Sequence, residues 1–334
     1  MEKDRQDQTY FFRSADNTRG AGAALPEQAD GLTRLYKSRW ALPRPHSTHN
    51  VRVDDDTLIV LRRHGNPDGA RLILTHGNGL AIDLYYPFWS LLTDEFDVVV
   101  HDLRNHGWNE VSAPERHNMP TLADDHDCIL EAVNSTFGEK PAVGIFHSLA
   151  ALAALLSPAK GRDYAGLVLF DPPLCKAGRS YFDFDAAATQ NAAQVRRRTE
   201  HFPTLREFVE LLAIVPLYRL ALPGVHRLLA DTTLRRRTDG DGYELRCPRE
   251  YEAQIVEYAS VFAVTINFES FHCPIKVIGA DPTLPYSYLP SMDLSHIMSV
   301  DYDFIPDATH FLQVEKPEEC VASMRGFLSD ISFA

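Results

Sequence analysis

The sequence predicts a mostly parallel α/β sheet with a helical block inserted towards its end. Three observations carry this. Short, continuous apolar runs such as Leu72-Ile73-Leu74-Thr75 and Ala142-Val143-Gly144-Ile145-Phe146 alternate with helical stretches, as buried strands do when helices cover both faces of a sheet. After Asp171-Pro172-Pro173 the alternation stops, and the pattern stays helical to about residue 270. It then resumes with Ile275-Lys276-Val277-Ile278, so the block is an insertion into one domain and not a second domain.

Taken in order, residues 1–27 are polar, with Gly20-Ala21-Gly22 in the middle, and read as an arm. A short amphipathic helix is expected over 29–40. Val51-Arg52-Val53 and Leu58-Ile59-Val60-Leu61 flank Asp54-Asp55-Asp56 in a hairpin pattern, and Gly65-Asn66-Pro67-Asp68-Gly69 is the next turn. Strands are then expected over 72–75, 96–100, 142–146 and 165–170, with helices over 83–92, 121–133 and 148–156 between them. Inside the insertion the helical pattern covers 184–201, 204–214, 217–230 and 251–264. A strand at 275–278, a helix at 287–298, a strand at 302–304 and a helix at 317–328 close the chain. The expected organisation is an arm (1–27), a core (28–171 and 271–334) and a helical cap (172–270).

The chain has 334 residues, 45% hydrophobic and 24% charged, which suits a soluble globular protein with a sizeable core. A net charge of −13 argues against nucleic acid or an anionic membrane surface as the main partner, leaving a small-molecule substrate and, at most, a homodimer. Arg196-Arg197-Arg198 and Arg235-Arg236-Arg237 could meet an anionic tail such as a CoA phosphate, although such runs are more often solvated faces. Five cysteines without metal-like spacing fit reduced thiols in a cytoplasmic protein. The charged start Met1-Glu2-Lys3-Asp4-Arg5-Gln6-Asp7 lacks the apolar region of a secretory signal, and no apolar run is long enough to span a bilayer.

Chemistry centres on Phe146-His147-Ser148-Leu149-Ala150, which joins an apolar strand to an alanine- and leucine-rich helix. A serine at such a turn is held on a strained bend above the C-terminal edge of a sheet, although a simple helix cap would look the same. Thr75-His76-Gly77-Asn78-Gly79 follows another strand and can aim backbone N–H groups at a developing oxyanion, with the Leu149 N–H as second donor. Asp281, in Gly279-Ala280-Asp281-Pro282-Thr283-Leu284-Pro285, puts a carboxylate at a strand's C-terminal end. His310, in Pro306-Asp307-Ala308-Thr309-His310-Phe311-Leu312, follows the last strand. Each segment alone is weak, but all four fall at strand ends in the order Ser, Asp, His.

With Asp102-Leu103-Arg104-Asn105-His106-Gly107 and the sequel Gln313-Val314-Glu315-Lys316-Pro317-Glu318-Glu319, these segments resemble the α/β-hydrolase superfamily over about residues 51–328. The branch resembled carries a helical cap between its sixth and seventh strands. The resemblance implies Ser148 as nucleophile, His310 as general base and Asn78 and Leu149 as oxyanion donors, with Asp102 and Arg104 in a structural turn. Asp281, in a context typical of esterases, is the expected acid. Asp171 is the alternative, at the position used by haloalkane dehalogenases, certain fungal acyl-CoA hydrolases and cofactor-free dioxygenases. Gly77, Gly79, Phe146 and His147 are expected at the substrate pocket. Phe146 and Ala150 stand where the family usually has glycine, and Phe146 is expected to alter the elbow or fill part of the pocket.

A serine rather than an aspartate nucleophile argues against a dehalogenase or epoxide hydrolase. The expected activity is therefore hydrolysis of an ester, thioester or C–C bond of a small apolar or aromatic substrate, with no metal or cofactor. Aromatic residues of the cap and of Tyr85-Tyr86-Pro87-Phe88-Trp89 suggest that substrate class. Two alternatives share the fold: a cofactor-independent dioxygenase, and a ligand-binding protein with a degraded elbow.

Overall fold

The computed structural model describes residues 40–175, 178–284 and 300–333. The arm expected over 1–27, the helix over 287–298, and all of the helix over 29–40 except Trp40 lie outside the described residues. The strands are β1 Ser47–Arg52, β2 Leu58–Gly65, β3 Arg71–Thr75, β4 Asp97–His101, β5 Ala142–His147 and β6 Gly166–Phe170. They continue as β7 His201–Phe202, β8 Leu234–Arg236, β9 Tyr243–Leu245, β10 Ile275–Gly279 and β11 Asp301–Phe304. One eight-stranded sheet runs β1-β2-β4-β3-β5-β6-β10-β11. The two pairings of β2 are antiparallel, and from β4 onward every neighbouring pair is parallel.

The apolar runs are continuous because successive residues face two separate cores. Leu72, Leu74, Val143, Ile145, Val168 and Phe170 pack on one side with Phe88, Trp89 and Met324. Ile73, Phe146, Leu167 and Leu169 pack on the other. That second side is covered by helices α1 (Met119–Phe137) and α2 (Leu149–Leu156). The start of α1 is capped by the Asn118 side chain, which accepts the Thr121 N–H.

The insertion leaves β6 and returns at β10, and these two strands are neighbours, with Phe170 opposite Ile278. It contains helices α3 (Arg179–Arg197), α4 (Leu205–Ala213), α5 (Val225–Thr233) and α6 (Arg249–Ala263). It is not wholly helical, because β7, β9 and β8 form a small antiparallel sheet. β9 falls on Tyr243-Glu244-Leu245-Arg246, which the sequence offers as a short extended piece, whereas β7 and β8, of two and three residues, have no readable period. The helix expected over 217–230 begins only at Val225, after Pro223 and Gly224, the latter at φ +91°. The helix expected over 83–92 is a succession of short turns, Ile82–Tyr85, Tyr86–Trp89 and Ser90–Leu92.

The arginine runs are largely committed to ion pairs within the insertion. Arg196 meets Glu250 and Glu257, Arg198 meets Glu252, Arg235 meets Glu244 and Arg237 meets Asp239. The final helix, α7, spans Pro317–Asp330. Among the described residues no helix is long and apolar enough to cross a membrane.

Candidate active site

Ser148 sits between β5 and α2 at φ +52° and ψ −117°, a backbone conformation that side chains disfavour. Its N–H continues the β5–β6 ladder to the Phe170 carbonyl at 2.9 Å, so the strain is held by the sheet itself. The bend leaves the Ser148 side chain at the C-terminal edge of β5, where 9% of the residue remains exposed.

Phe146 points away from the C-terminal edge that carries Ser148 and into the core. Its ring is fully buried on the α1–α2 side of the sheet, edge-on to His126 at 4.8 Å and to Tyr164 at 6.0 Å. Space for it comes from Gly144, two residues earlier on the same strand face, where an added Cβ would overlap the ring. His147 is likewise fully buried, with both ring nitrogens bonded within the protein.

His310 joins Ser148 to a carboxylate, and that carboxylate belongs to Asp171. His310 Nε2 lies 3.0 Å from Ser148 Oγ, and Nδ1 lies 2.5 Å from Asp171 Oδ2. Asp171 is fully buried at φ +40° and also accepts the Ala280 N–H at 3.3 Å.

The expected pairing of His310 with Asp281 does not occur. Asp281 accepts the Thr283 N–H and hydroxyl at 2.8 and 2.7 Å and the Asp307 N–H at 2.8 Å. These bonds hold its pKa below the usual carboxylate value. The physical reason lies in the residues that follow. An aspartate readily caps the backbone N–H two residues on. Asp281-Pro282-Thr283 offers that donor, whereas Asp171-Pro172-Pro173 offers none, leaving Asp171 to be partnered from a distance.

The loop after β3 is arranged around one N–H. Gly77 N–H donates to the Tyr85 hydroxyl at 3.3 Å, and Gly79 N–H to His106 Nε2 at 3.0 Å. His106 can accept because burial keeps its imidazole neutral, with the proton on Nδ1 donated to the Arg104 carbonyl. Among the described residues neither the Asn78 nor the Leu149 N–H has a protein acceptor. Gly77 approaches the elbow so closely that a Cβ there would lie 3.1 Å from Ser148 Cβ. Gly79, at φ +70°, lies under the Glu252 carboxylate of α6, and Asn78 Nδ2 donates to the Glu252 carbonyl at 2.8 Å.

The insertion thus packs directly on this loop. Burial raises the Glu252 carboxyl pKa, and Arg198 opposes the shift. Of the aromatics of the insertion, Tyr218 stacks at 4.9 Å on Phe311, the neighbour of His310. Phe184 and Phe202 are buried, whereas Phe182 and Tyr258 are exposed on the outside. Asp102 lies in a structural turn, accepting the Ile82 and Trp108 N–H groups and pairing with Arg62. The sequence offers Tyr85 only among aromatics suggesting the substrate class and His106 only within a family segment. The structure instead buries Tyr85, Phe88 and Trp89 in the core and gives Tyr85 and His106 the Gly77 and Gly79 N–H groups, bonds that no local pattern marks.

The profile of the Alpha/beta hydrolase family matches residues 72–323. The chain belongs to that family. Among solved structures it is similar to an E-2-(acetamidomethylene)succinate hydrolase, with 18% identity and a TM-score of 0.69 over 85% of this chain and 99% of the other. It is also similar to the thioesterase domain from the curacin biosynthetic pathway, with 15% identity and a TM-score of 0.62 over 83% and 98% of the two chains. A thermophilic esterase from Thermogutta terrifontis is similar at 19% identity and a TM-score of 0.59, over 85% and 99%. A comparison with curated proteins gives no match.

Proposed function

We propose that this hydrolase-family protein cleaves an ester, thioester or C–C bond of a small apolar or aromatic substrate, using Ser148, His310 and Asp171 through an acyl-enzyme. The observation that carries the reading is the hydrogen-bonded line from Ser148 Oγ through His310 to Asp171, ending on a strained serine. His310 Nε2 takes the proton as Oγ bonds to the substrate carbonyl carbon. The Asn78 and Leu149 N–H groups receive the oxyanion, and Asp171 fixes the Nδ1–H tautomer and stabilises the imidazolium. His310 then gives its proton to the leaving group, and water repeats the sequence to release the acid. The Tyr218–Phe311 stack supports an apolar wall beside the reacting carbonyl. The preserved elbow takes away the reason for reading Phe146 as a sign of lost catalysis.

A fluorophosphonate probe should label Ser148 in the wild type and leave Ser148→Ala unlabelled. Hydrolysis of a short p-nitrophenyl ester should fall by about 10⁴-fold or more in that variant. A folded wild-type protein that stays unlabelled would sink the proposal. One observation favours a second reading, a cofactor-independent dioxygenase: the acid follows β6, as the resemblance implies for such enzymes. In that reading His310 and Asp171 act as the base and Ser148 only binds. Oxygen uptake with a quinolone that persists in Ser148→Ala would select it.

A further inference from the structure

Tyr85 and His147 form a bridge beneath Ser148 whose hydrogen-bond directions are all determined. His147 Nε2 lies 2.8 Å from the His310 carbonyl oxygen, which can only accept, so the proton is on Nε2. His147 Nδ1 is therefore an acceptor, and the Tyr85 hydroxyl 2.6 Å away must donate to it. The Tyr85 oxygen in turn receives the Gly77 N–H. A continuous chain thus runs from the loop after β3 to the backbone of the histidine after β11. It passes behind the nucleophile and is almost wholly buried, with Tyr85 2% and His147 0% exposed.

We propose that Tyr85 and His147 are positioning residues for the reaction at Ser148, tying the oxyanion loop and the His310 backbone to one fixed frame. The inference rests on the hydrolase reading and adds to it two residues that do not touch the reacting atoms. Gly77 precedes the Asn78 donor, so its anchorage sets where that N–H points. The His310 carbonyl anchorage sets where the imidazole hangs between Ser148 and Asp171. Displacements of about 1 Å in such groups cost on the order of 10²-fold in rate.

The ring of His147 also lies against that of His310, tilted by 42° with centroids 4.6 Å apart, so a charge on His147 would oppose the imidazolium formed in catalysis. Burial, with His310 and His76 facing it, keeps His147 neutral well below the usual histidine pKa. The bond from Tyr85 occupies the nitrogen that would take the proton.

Three variants test this. Tyr85→Phe removes the hydroxyl and keeps the ring. His147→Leu removes both bonds, and His147→Gln restores a donor towards the His310 carbonyl. Fluorophosphonate labelling of Ser148 and ester hydrolysis are measured for each, with ¹⁵N NMR of the wild-type His147 ring.

The ring should show a protonated Nε2 with slow exchange. The kcat of Tyr85→Phe should fall about tenfold and that of His147→Leu about 100-fold, with KM changed less than about threefold. His147→Gln should recover at least tenfold over His147→Leu. If His147→Leu does not fold, Tyr85→Phe and His147→Gln still decide. An unlabelled wild type overturns the hydrolase reading and this one with it. A labelled wild type matched in rate by Tyr85→Phe overturns this one alone, as does a protonated Nδ1 or equal loss in His147→Gln and His147→Leu.

Discussion

Asp171 and Asp281 leave neighbouring parallel strands within two residues of the same level, yet they end in different company. The β6–β10 register places Phe170 opposite Ile278, and the Asp171 N–H donates to the Ile278 carbonyl. Asp171 turns to His310. Asp281 folds back on Thr283 and on the Asp307 N–H, and so ties the exit of β10 to the chain after β11. Both are buried carboxylates at the edge where ligands collect in such sheets. Position along a strand therefore does not choose the partner of the histidine. The local supply of N–H donors does, because a carboxylate satisfied within its own turn is not available to a distant imidazole.

The sharpest way to break this comparison is to neutralise each aspartate in turn. Asp171→Asn should lower kcat by about 10⁴-fold, because the amide can no longer hold the Nδ1–H tautomer or stabilise the imidazolium. Its melting temperature and circular dichroism should show a folded protein. Asp281→Asn should keep kcat within about threefold and lose about 1 kcal/mol of stability in urea unfolding, from weakened bonds to Thr283 and Asp307. If the two variants exchanged these outcomes, the assignment of Asp171 would be wrong.

The smallest effect concerns pH. Thr283 and the Asp307 N–H lower the folded-state pKa of Asp281, so its stabilising contribution is present above the unfolded value of about 3.9. That contribution is lost as pH falls through the lower folded value. A ¹³C carboxyl titration should place the Asp281 midpoint below about 3.9, and a midpoint above it would contradict the capping role.

Much of this was legible because its signals are local. Continuous apolar runs marked the central strands, since residues facing two covered sides cannot alternate with polar ones. The segment through His310 and its Glu315-Lys316-Pro317 sequel pointed to the histidine. The choice between the aspartates was also written locally, in Pro172-Pro173 against Pro282-Thr283, but it is visible only to a count of backbone donors. Phe146 departs from one motif position, while its compensation lies at Gly144, outside that motif and on the same strand face. Tyr85 and His147 are 62 residues apart, and no periodicity brings them together.

The sequence by itself determined the succession of central strands in the sheet and the serine and histidine at strand ends. Apolar period, proline and glycine act over a few residues and need no partner to be read. Only the tertiary structure decided which aspartate meets His310, where the Phe146 ring goes, and which N–H groups of the loop after β3 remain uncommitted. Those outcomes depend on competition among hydrogen-bond partners and for space between segments far apart in the chain, and that competition exists only once the sheet has brought them together.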